Sequence, residues 1–318
     1  VLSLKTISTF RPAIMLDWDR LATVKFNASE LLSITFGAAT NGYPEQRARD
    51  WIADHFYFCL QANIAYFVLI FSIKFFMRNR EPFDLQRKLN IWNAILAAFS
   101  IGGCLYTTPD FVGSLWNRGF RGSYCYNDGL MEGVNGWWVW LFVLSKLAEF
   151  TDTFFIVLRK KPLMFLHWYH HILTSIFAFY TFPVMSAFVR WVIWLNLTVH
   201  SFMYSYYFLR SIRVPVPGFV AKFITSSQIL QARQLHIFSL SSPVGFVISI
   251  VVLIACLVEH YVFKSMGDCD FHIPSFWFTL IMDTTYLILF TNFFLKSYVI
   301  KGGKDKYKKV ATEPKKEK

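Results

Sequence analysis

The sequence predicts an all-α, polytopic membrane protein of seven transmembrane helices, and three observations predict it. Of its 318 residues, 55% are hydrophobic and 19% aromatic, well above the apolar share of an ordinary soluble domain. Several stretches approach the roughly 20 apolar residues that span a bilayer. Lys and Arg gather in alternate connections between these stretches, which reads as membrane topology. The net charge of +12 is therefore not a nucleic-acid footprint, and no nucleic-acid partner is expected.

In chain order, residues 1–55 are mixed and polar and form an N-terminal segment. They hold a glycosylation sequon, Asn27, Ala28 and Ser29, usable only on the lumenal side of a membrane. The first 30 residues show no charged n-region and apolar h-region of a cleaved signal peptide. A membrane domain follows over residues 56–300, with spans expected at 57–77, 90–109, 136–157, 164–183, 187–209, 219–263 and 275–297. The sixth is interrupted at 232–245 by Arg233, His236, three serines and Pro243. That insert reads equally as a helix break or as sequence foreign to the mature chain. Residues 301–318 form a tail with eight Lys against three acids.

Arg78, Arg80, Arg87 and Lys88 follow the first span, Arg159, Lys160 and Lys161 the third, and Arg210 and Arg213 the fifth. These connections and the tail are expected in the cytosol, with the N-terminus and loops 110–135 and 264–274 in the lumen. Cys125 and Cys269 each fall in one of those lumenal loops, where the compartment is oxidising, so a bridge between them is expected. Cys59, Cys104 and Cys256 lie in spans and read as apolar packing.

The polar residues inside the spans carry the functional signal. His167, His170 and His171 stand at i, i+3 and i+4, on one face of a helix. Ionisable groups are costly in hydrocarbon, and such a cluster points to metal binding, proton transfer or covalent catalysis. The third span adds Lys146, Glu149, Asp152 and Thr153, the fifth Asn196, His200, Met203, Tyr204 and Tyr207, and the sixth Thr225, Gln228 and Gln231. At 1.5 Å per residue from the nearest basic end, the histidines of the box lie roughly 9–15 Å deep and His200 about 15 Å. Glu149 and Asp152 lie at about 15 and 10 Å, and Gln228 at about 9 Å. Helices of alternating direction thus bring polar groups to one level. One chamber open to the cytosol, with apolar walls beyond, would suit a substrate with a charged head and a hydrocarbon tail.

In order, these four motifs resemble those of the ELO family of fatty acid elongases, over about residues 50–310. The resemblance implies a seven-helix endoplasmic-reticulum enzyme, with six helices forming a barrel around a substrate tunnel. It implies an acyltransferase, a very-long-chain 3-oxoacyl-CoA synthase, that condenses acyl-CoA with malonyl-CoA and releases CO2 and CoA. Lys315 and Lys316 resemble a dilysine retrieval signal. Trp168 inside the box resembles members acting on saturated and monounsaturated chains of about C12 to C18, although polyunsaturated chains remain an alternative.

The resemblance implies a role for each group. His170 is the expected nucleophile, forming an acyl-imidazole, and His200 the residue that positions malonyl-CoA or assists its decarboxylation. His167 and His171 would hold the box in shape or donate to an oxyanion. Glu149 and Asp152 would accept from imidazole N–H groups and fix their tautomers. Asn196, Tyr204, Gln228 and Gln231 would be hydrogen-bonding lining. Lys146 would pair with the acids or reach a CoA phosphate; the plain alternative is that Lys146 and Asp152 only pair with each other. Met203 reads as packing, and the tyrosines at 204, 206 and 207 fit interface aromatics equally well.

No cofactor and no metal are expected, and the partners are acyl-CoA, malonyl-CoA, membrane lipid, and the reductase, dehydratase and enoyl reductase of an elongation cycle. Self-association is left open. A di-iron desaturase is disfavoured because His55, His236, His260 and His272 fall outside any box, which leaves too few ligands of the eight histidines. A seven-helix receptor needs no such polar layer, and the paired halves of a transporter are not visible.

Overall fold

The computed structural model describes residues 25–215, 245–263 and 266–294. Thr225, Gln228 and Gln231, the insert up to Val244, the Lys-rich tail and the first 24 residues lie outside them. Every regular element among the described residues is helical.

The described part of the N-terminal segment, residues 25–55, is mostly helical. Helix α1 (Ala28–Asn41) starts where the Asn27 side chain accepts from the Glu30 N–H, a cap that satisfies one of the free donors of the first turn. Helix α2 (Glu45–Asp54) sets Trp51 parallel to His55, ring centroids 3.9 Å apart. Indole N–H groups of Trp137 and Trp140 donate to the Thr35 carbonyl and hydroxyl, which docks this pair of helices on the bundle.

Helix α3 (Phe56–Phe76) buries Cys59, Asn63, Tyr66 and Ile70, one stripe at helical spacing. It turns Ile64, Phe67, Val68 and Leu69 outward. Apolar outside and partly polar inside is the arrangement of a helix whose solvent is lipid.

Helix α4 (Gln86–Cys125) overruns the expected span at 90–109 and takes up most of the expected loop 110–135. It passes through Pro109, where Thr107 and Thr108 bond back to the carbonyls of Gly103 and Cys104 in the turn the proline disturbs. The bend comes at Gly119, whose φ of 68° only glycine adopts freely. From Gln86 to there the helix is about 50 Å long, well beyond the hydrocarbon core.

Helices α5 (Gly133–Ala148) and α6 (Phe150–Leu158) form one rod with a tight turn at Glu149. Helices α7 (Phe165–Thr181) and α8 (Val189–Ser211) follow, then α9 (Gly245–Leu257), which runs into a wide turn over Val258–Phe263, and α10 (Ile273–Phe294). Helix α8 lies along α4 at close range. A Cβ on Gly103 would come within 2.8 Å of Leu197, and Trp194 donates to Thr108 at 2.9 Å.

Among the described residues three helices are long and apolar enough to cross a membrane, Phe56–Asn79, Gln86–Cys125 and Ile273–Asn292. Helices α5 to α8 stand where three further spans were expected at 136–157, 164–183 and 187–209, the first of these being split at Glu149. Their inward faces carry Lys146, Glu149, Asp152, the histidines, Arg190 and Asn196, which lowers their apolar content. The chain is a membrane protein built with its polar groups inside.

One end of the bundle is clamped by a disulfide between Cys125 and Cys269. The Asp270 N–H donates to the Cys125 carbonyl, and the Asp270 carboxylate accepts from the Asn127 N–H. Beside them Arg190, only 2% exposed, pairs with Asp110 at 2.8 Å and donates to the carbonyls of Ser123, Tyr126, Asn127 and Asp128. Its fork satisfies the chain where α4 ends. Replacing Arg190 by Met would leave a shielded carboxylate and four carbonyls without their donor. The expected cost is about 3–5 kcal/mol, read as a lower unfolding temperature in detergent.

Candidate active site

A cavity of about 760 Å³ runs through the middle of the bundle, lined from α4 to α8 and by α10. Its two ends differ in chemistry. Arg159 at the end of α6, Lys161 before α7, Arg210 near the end of α8 and Gln86 at the start of α4 form a basic mouth. Val139, Thr181, Phe182, Met185 and Val189 line the other end, which lies beneath the disulfide clamp and is apolar.

The polar layer sits midway. Along α7 the path from His170 to Thr181 is about 16 Å, along α8 from His200 to Val189 about 16 Å, and along α5 from Glu149 to Val139 about 15 Å. In the other direction Arg159 and Arg210 stand ten residues from Glu149 and His200 along their rods, again about 15 Å, and Lys161 lies in the connection just before α7. Three helices independently give one level, because their polar residues share a distance from the basic end.

At that level Lys146 and Glu149 form an ion pair at 2.8 Å, with residue exposures of 3% and 2%. The Lys146 ammonium also donates to the Asn196 carbonyl oxygen at 3.0 Å, which ties α5 to α8. Ser145 donates to the same Glu149 oxygen at 3.2 Å. Lys146 therefore pairs with Glu149 and not with Asp152. Asp152 accepts from the Trp92 indole at 2.5 Å and from the Tyr204 hydroxyl at 2.9 Å.

His167 is oriented by a chain of hydroxyls and not by a carboxylate. Its Nε2 lies 2.9 Å from the Thr153 hydroxyl, which in turn lies 2.6 Å from the Tyr66 hydroxyl on α3. The expected role of Glu149 and Asp152 as imidazole partners is not the bonding found, since no hydrogen bond joins either acid to an imidazole among the described residues. His171 packs between its neighbours, its ring 4.6 Å from His167 and 5.6 Å from His170. Two buried atoms, Glu149 Oε2 and His171 Nδ1, have no hydrogen-bond partner among the described residues.

His170 and His200 both line the cavity. Helix α10 closes over the box: the Tyr286 ring lies 5.0 Å from the His170 ring, and its hydroxyl donates to the His170 carbonyl at 3.2 Å. His200 stands 5.2 Å from the Tyr204 ring. Among the described residues no group of three or more His, Cys, Asp or Glu is arranged to hold a metal ion.

Comparison with known proteins gives this geometry a setting. The profile of the ELO family (GNS1/SUR4 family) matches residues 51–306. The chain belongs to the ELO family. It is 50% identical to long chain fatty acid elongase 1 of Caenorhabditis elegans, over 92% of this chain and 96% of that one. It is 37% identical to very long chain fatty acid elongase 6 of Drosophila melanogaster, over 83% and 79%. With very long chain fatty acid elongase 6 of Homo sapiens the figures are 35% identity, 82% and 92%.

In this ELO-family chain, all the residues singled out on α5 to α8 come to the cavity or to its first supporting contacts. Lys146, Glu149, Asp152, His167, His170, His171, Asn196, His200, Met203, Tyr204 and Tyr207 line it, and Thr153 supports His167 from behind. Tyr204 is buried, which sets it apart from an interface aromatic, while Tyr207 stands exposed at the mouth.

The sequence reading missed Tyr66, Trp92, Asp283 and Tyr286. Asp283 had a visible signal, an acid inside an apolar span. The aromatic three had none, since Tyr and Trp are also ordinary membrane residues. Lys146→Met would strand the Glu149 carboxylate and is expected to cost about 3–5 kcal/mol of stability. Pairing it with Glu149→Gln should recover most of that loss in detergent thermal scans, whereas additive losses would deny the pair its coupling.

Proposed function

We propose that this chain is the condensing enzyme of fatty acid elongation, joining a long-chain acyl-CoA to malonyl-CoA through an acyl-histidine intermediate. Its membership of a fatty acid elongase family supports the reaction class. The observation that carries the reading within that class is the imidazole layer halfway between a basic mouth and an apolar end. A CoA thioester is itself anionic at one end, polar at its reactive carbonyl and apolar in its tail.

In this reading seven helices cross the endoplasmic-reticulum membrane, six of them around the cavity. The disulfide between Cys125 and Cys269 faces the lumen, where a bridge persists. The mouth at Arg159, Lys161 and Arg210 faces the cytosol, on the side that basic connections favour.

The acyl tail enters first and lies toward Phe182 and Met185. A neutral ring nitrogen of His170 attacks the thioester carbonyl, the C–S bond breaks, and CoA leaves as a thiol after taking up a proton. The acyl group is then held on the imidazole. Malonyl-CoA enters the emptied mouth and loses CO2, and the resulting enolate carbon attacks the acyl-imidazole carbonyl. A carbon–carbon bond forms, His170 is released, and a 3-oxoacyl-CoA two carbons longer departs.

His200 holds the malonyl thioester and donates to the enolate oxygen. His167, fixed by Thr153 and Tyr66, keeps the box in register. Saturated and monounsaturated chains are the proposed substrates. Both carbon units arrive as CoA thioesters, so the scheme uses no cofactor. The 3-oxo product must next be reduced, dehydrated and reduced again by partner enzymes before another round.

Incubated with acyl-CoA alone, the purified protein should gain the mass of one acyl group, and malonyl-CoA should discharge it as the longer product. His170→Ala should show neither adduct nor product. His200→Ala should keep the adduct and lose the product. An adduct of normal yield on His170→Ala would move the nucleophile to another residue.

A further inference from the structure

We propose that Asn27 carries an N-linked oligosaccharide, planted at the end of the bundle that the disulfide clamps. The assignment rests on the orientation in the proposed elongase reading, which sets that end in the lumen. The sequence holds two Asn-X-Ser/Thr tripeptides, at Asn27, Ala28 and Ser29 and at Asn196, Leu197 and Thr198. Their surroundings separate them. Asn196 lines the central cavity and gives its side-chain oxygen to the Lys146 ammonium, where a bulky hydrated group would break up the polar layer. Asn27, Ala28 and Ser29 are all exposed, as an oligosaccharide requires.

Ring contacts and hydrogen bonds place Asn27 at the clamped end. Phe56, the first residue of α3, has its ring 6.2 Å from Tyr180, and Tyr180 stands 6.2 Å from His272, three residues past Cys269. The chain leaving α3 reaches the opposite end, where the Lys160 ammonium, next to Arg159, donates to the carbonyls of Arg78 and Arg80. Asn27 is tied to the residues just before α3. Its N–H donates to His55 Nε2 at 3.0 Å, and its carbonyl accepts from the Trp51 indole at 3.0 Å.

The two ends of the Asn27 amide have separate uses. Its Oδ1 accepts from the Glu30 N–H at 3.1 Å and from the Ser29 hydroxyl at 2.9 Å, which caps α1. The cap needs no bond from Nδ2, and Nδ2 is the atom that takes the sugar. In that transfer the nitrogen bonds to the first sugar carbon of an oligosaccharide carried on a lipid pyrophosphate. The carbon–oxygen bond to the pyrophosphate breaks, the lipid pyrophosphate departs, and the nitrogen gives up one proton. The substituted amide keeps its oxygen, so the cap and the oligosaccharide coexist. With its backbone held by His55 and Trp51, Asn27 is a fixed stem from which the sugar projects into water.

The full chain, tagged at both ends and made in eukaryotic cells, tests this. Peptide N-glycosidase should lower its apparent mass by a single step and, in heavy-oxygen water, should leave the heavy isotope in an Asp at residue 27. Asn27→Asp keeps an oxygen for the cap and should abolish the step, as should Ser29→Ala, while Ser29→Thr should retain it. Protease added to sealed microsomes should remove the C-terminal tag and spare the N-terminal one. A spared N-terminal tag on a chain without oligosaccharide at residue 27 would overturn the assignment, and so would an oligosaccharide that survives Asn27→Asp. Loss of the N-terminal tag from sealed microsomes would overturn the proposed orientation and the assignment with it. Malonyl-CoA-dependent product, measured on the same membranes, tests the elongase reading separately from either result.

Discussion

A lysine and a glutamate with almost no exposed surface can coexist in a helix bundle surrounded by lipid only as a neutral, hydrogen-bonded pair. Lys146 and Glu149 meet that condition and extend it, because the ammonium also takes the Asn196 oxygen on α8. The pair thereby fixes the rotation of α5 against α8. It coincides with the tight turn at Glu149, where one rod becomes two and Asp152 and Thr153 are redirected toward Trp92, Tyr204, Tyr66 and His167. If the pair were turned away, the carboxylate, the hydroxyl chain and His167 would lose their common level. Stability and site geometry thus depend on the same two side chains.

The level of the site was legible in the sequence because helical rise is constant. Counting residues from Lys161, Arg159 and Arg210 puts the imidazoles and acids at one depth without any knowledge of packing. Who bonds to whom was not legible in the same way. The acids seemed the natural partners for imidazoles, yet Thr153 holds His167 and two aromatic donors hold Asp152. Two links of that network, Tyr66 behind Thr153 and Trp92 on Asp152, come from α3 and α4, where they sit among many other aromatic residues.

The fold shows a similar division. Apolar run length placed helices near each expected span among the described residues, but the split at Glu149 and the end of α4 were misjudged. Pro109 and the acid beside it look like the start of a loop. Helix continues because Thr107 and Thr108 bond back to the disturbed turn and because Arg190 neutralises Asp110 from a neighbouring helix. Arg190 itself drew no notice in the sequence, although an arginine inside an apolar run is costly unless something receives all of its donors. Here one carboxylate and four carbonyls do.

A cavity with one basic mouth and one apolar end imposes an order on any pair of substrates that share a head group. Under the proposed reading the acyl chain must go in tail first, which leaves its CoA in the mouth that the second CoA thioester also needs. Both cannot be held at Arg159, Lys161 and Arg210 together, since two polyanionic heads would compete for the same cations. Transfer of the acyl group to a residue of the polar layer resolves the conflict. The first CoA can then leave by the way it came, while the chain stays behind with its carbonyl at the histidines and its tail toward the apolar end. An imidazole in that layer suits the task, being neutral enough to attack a thioester and a good enough leaving group to surrender the acyl chain to carbon.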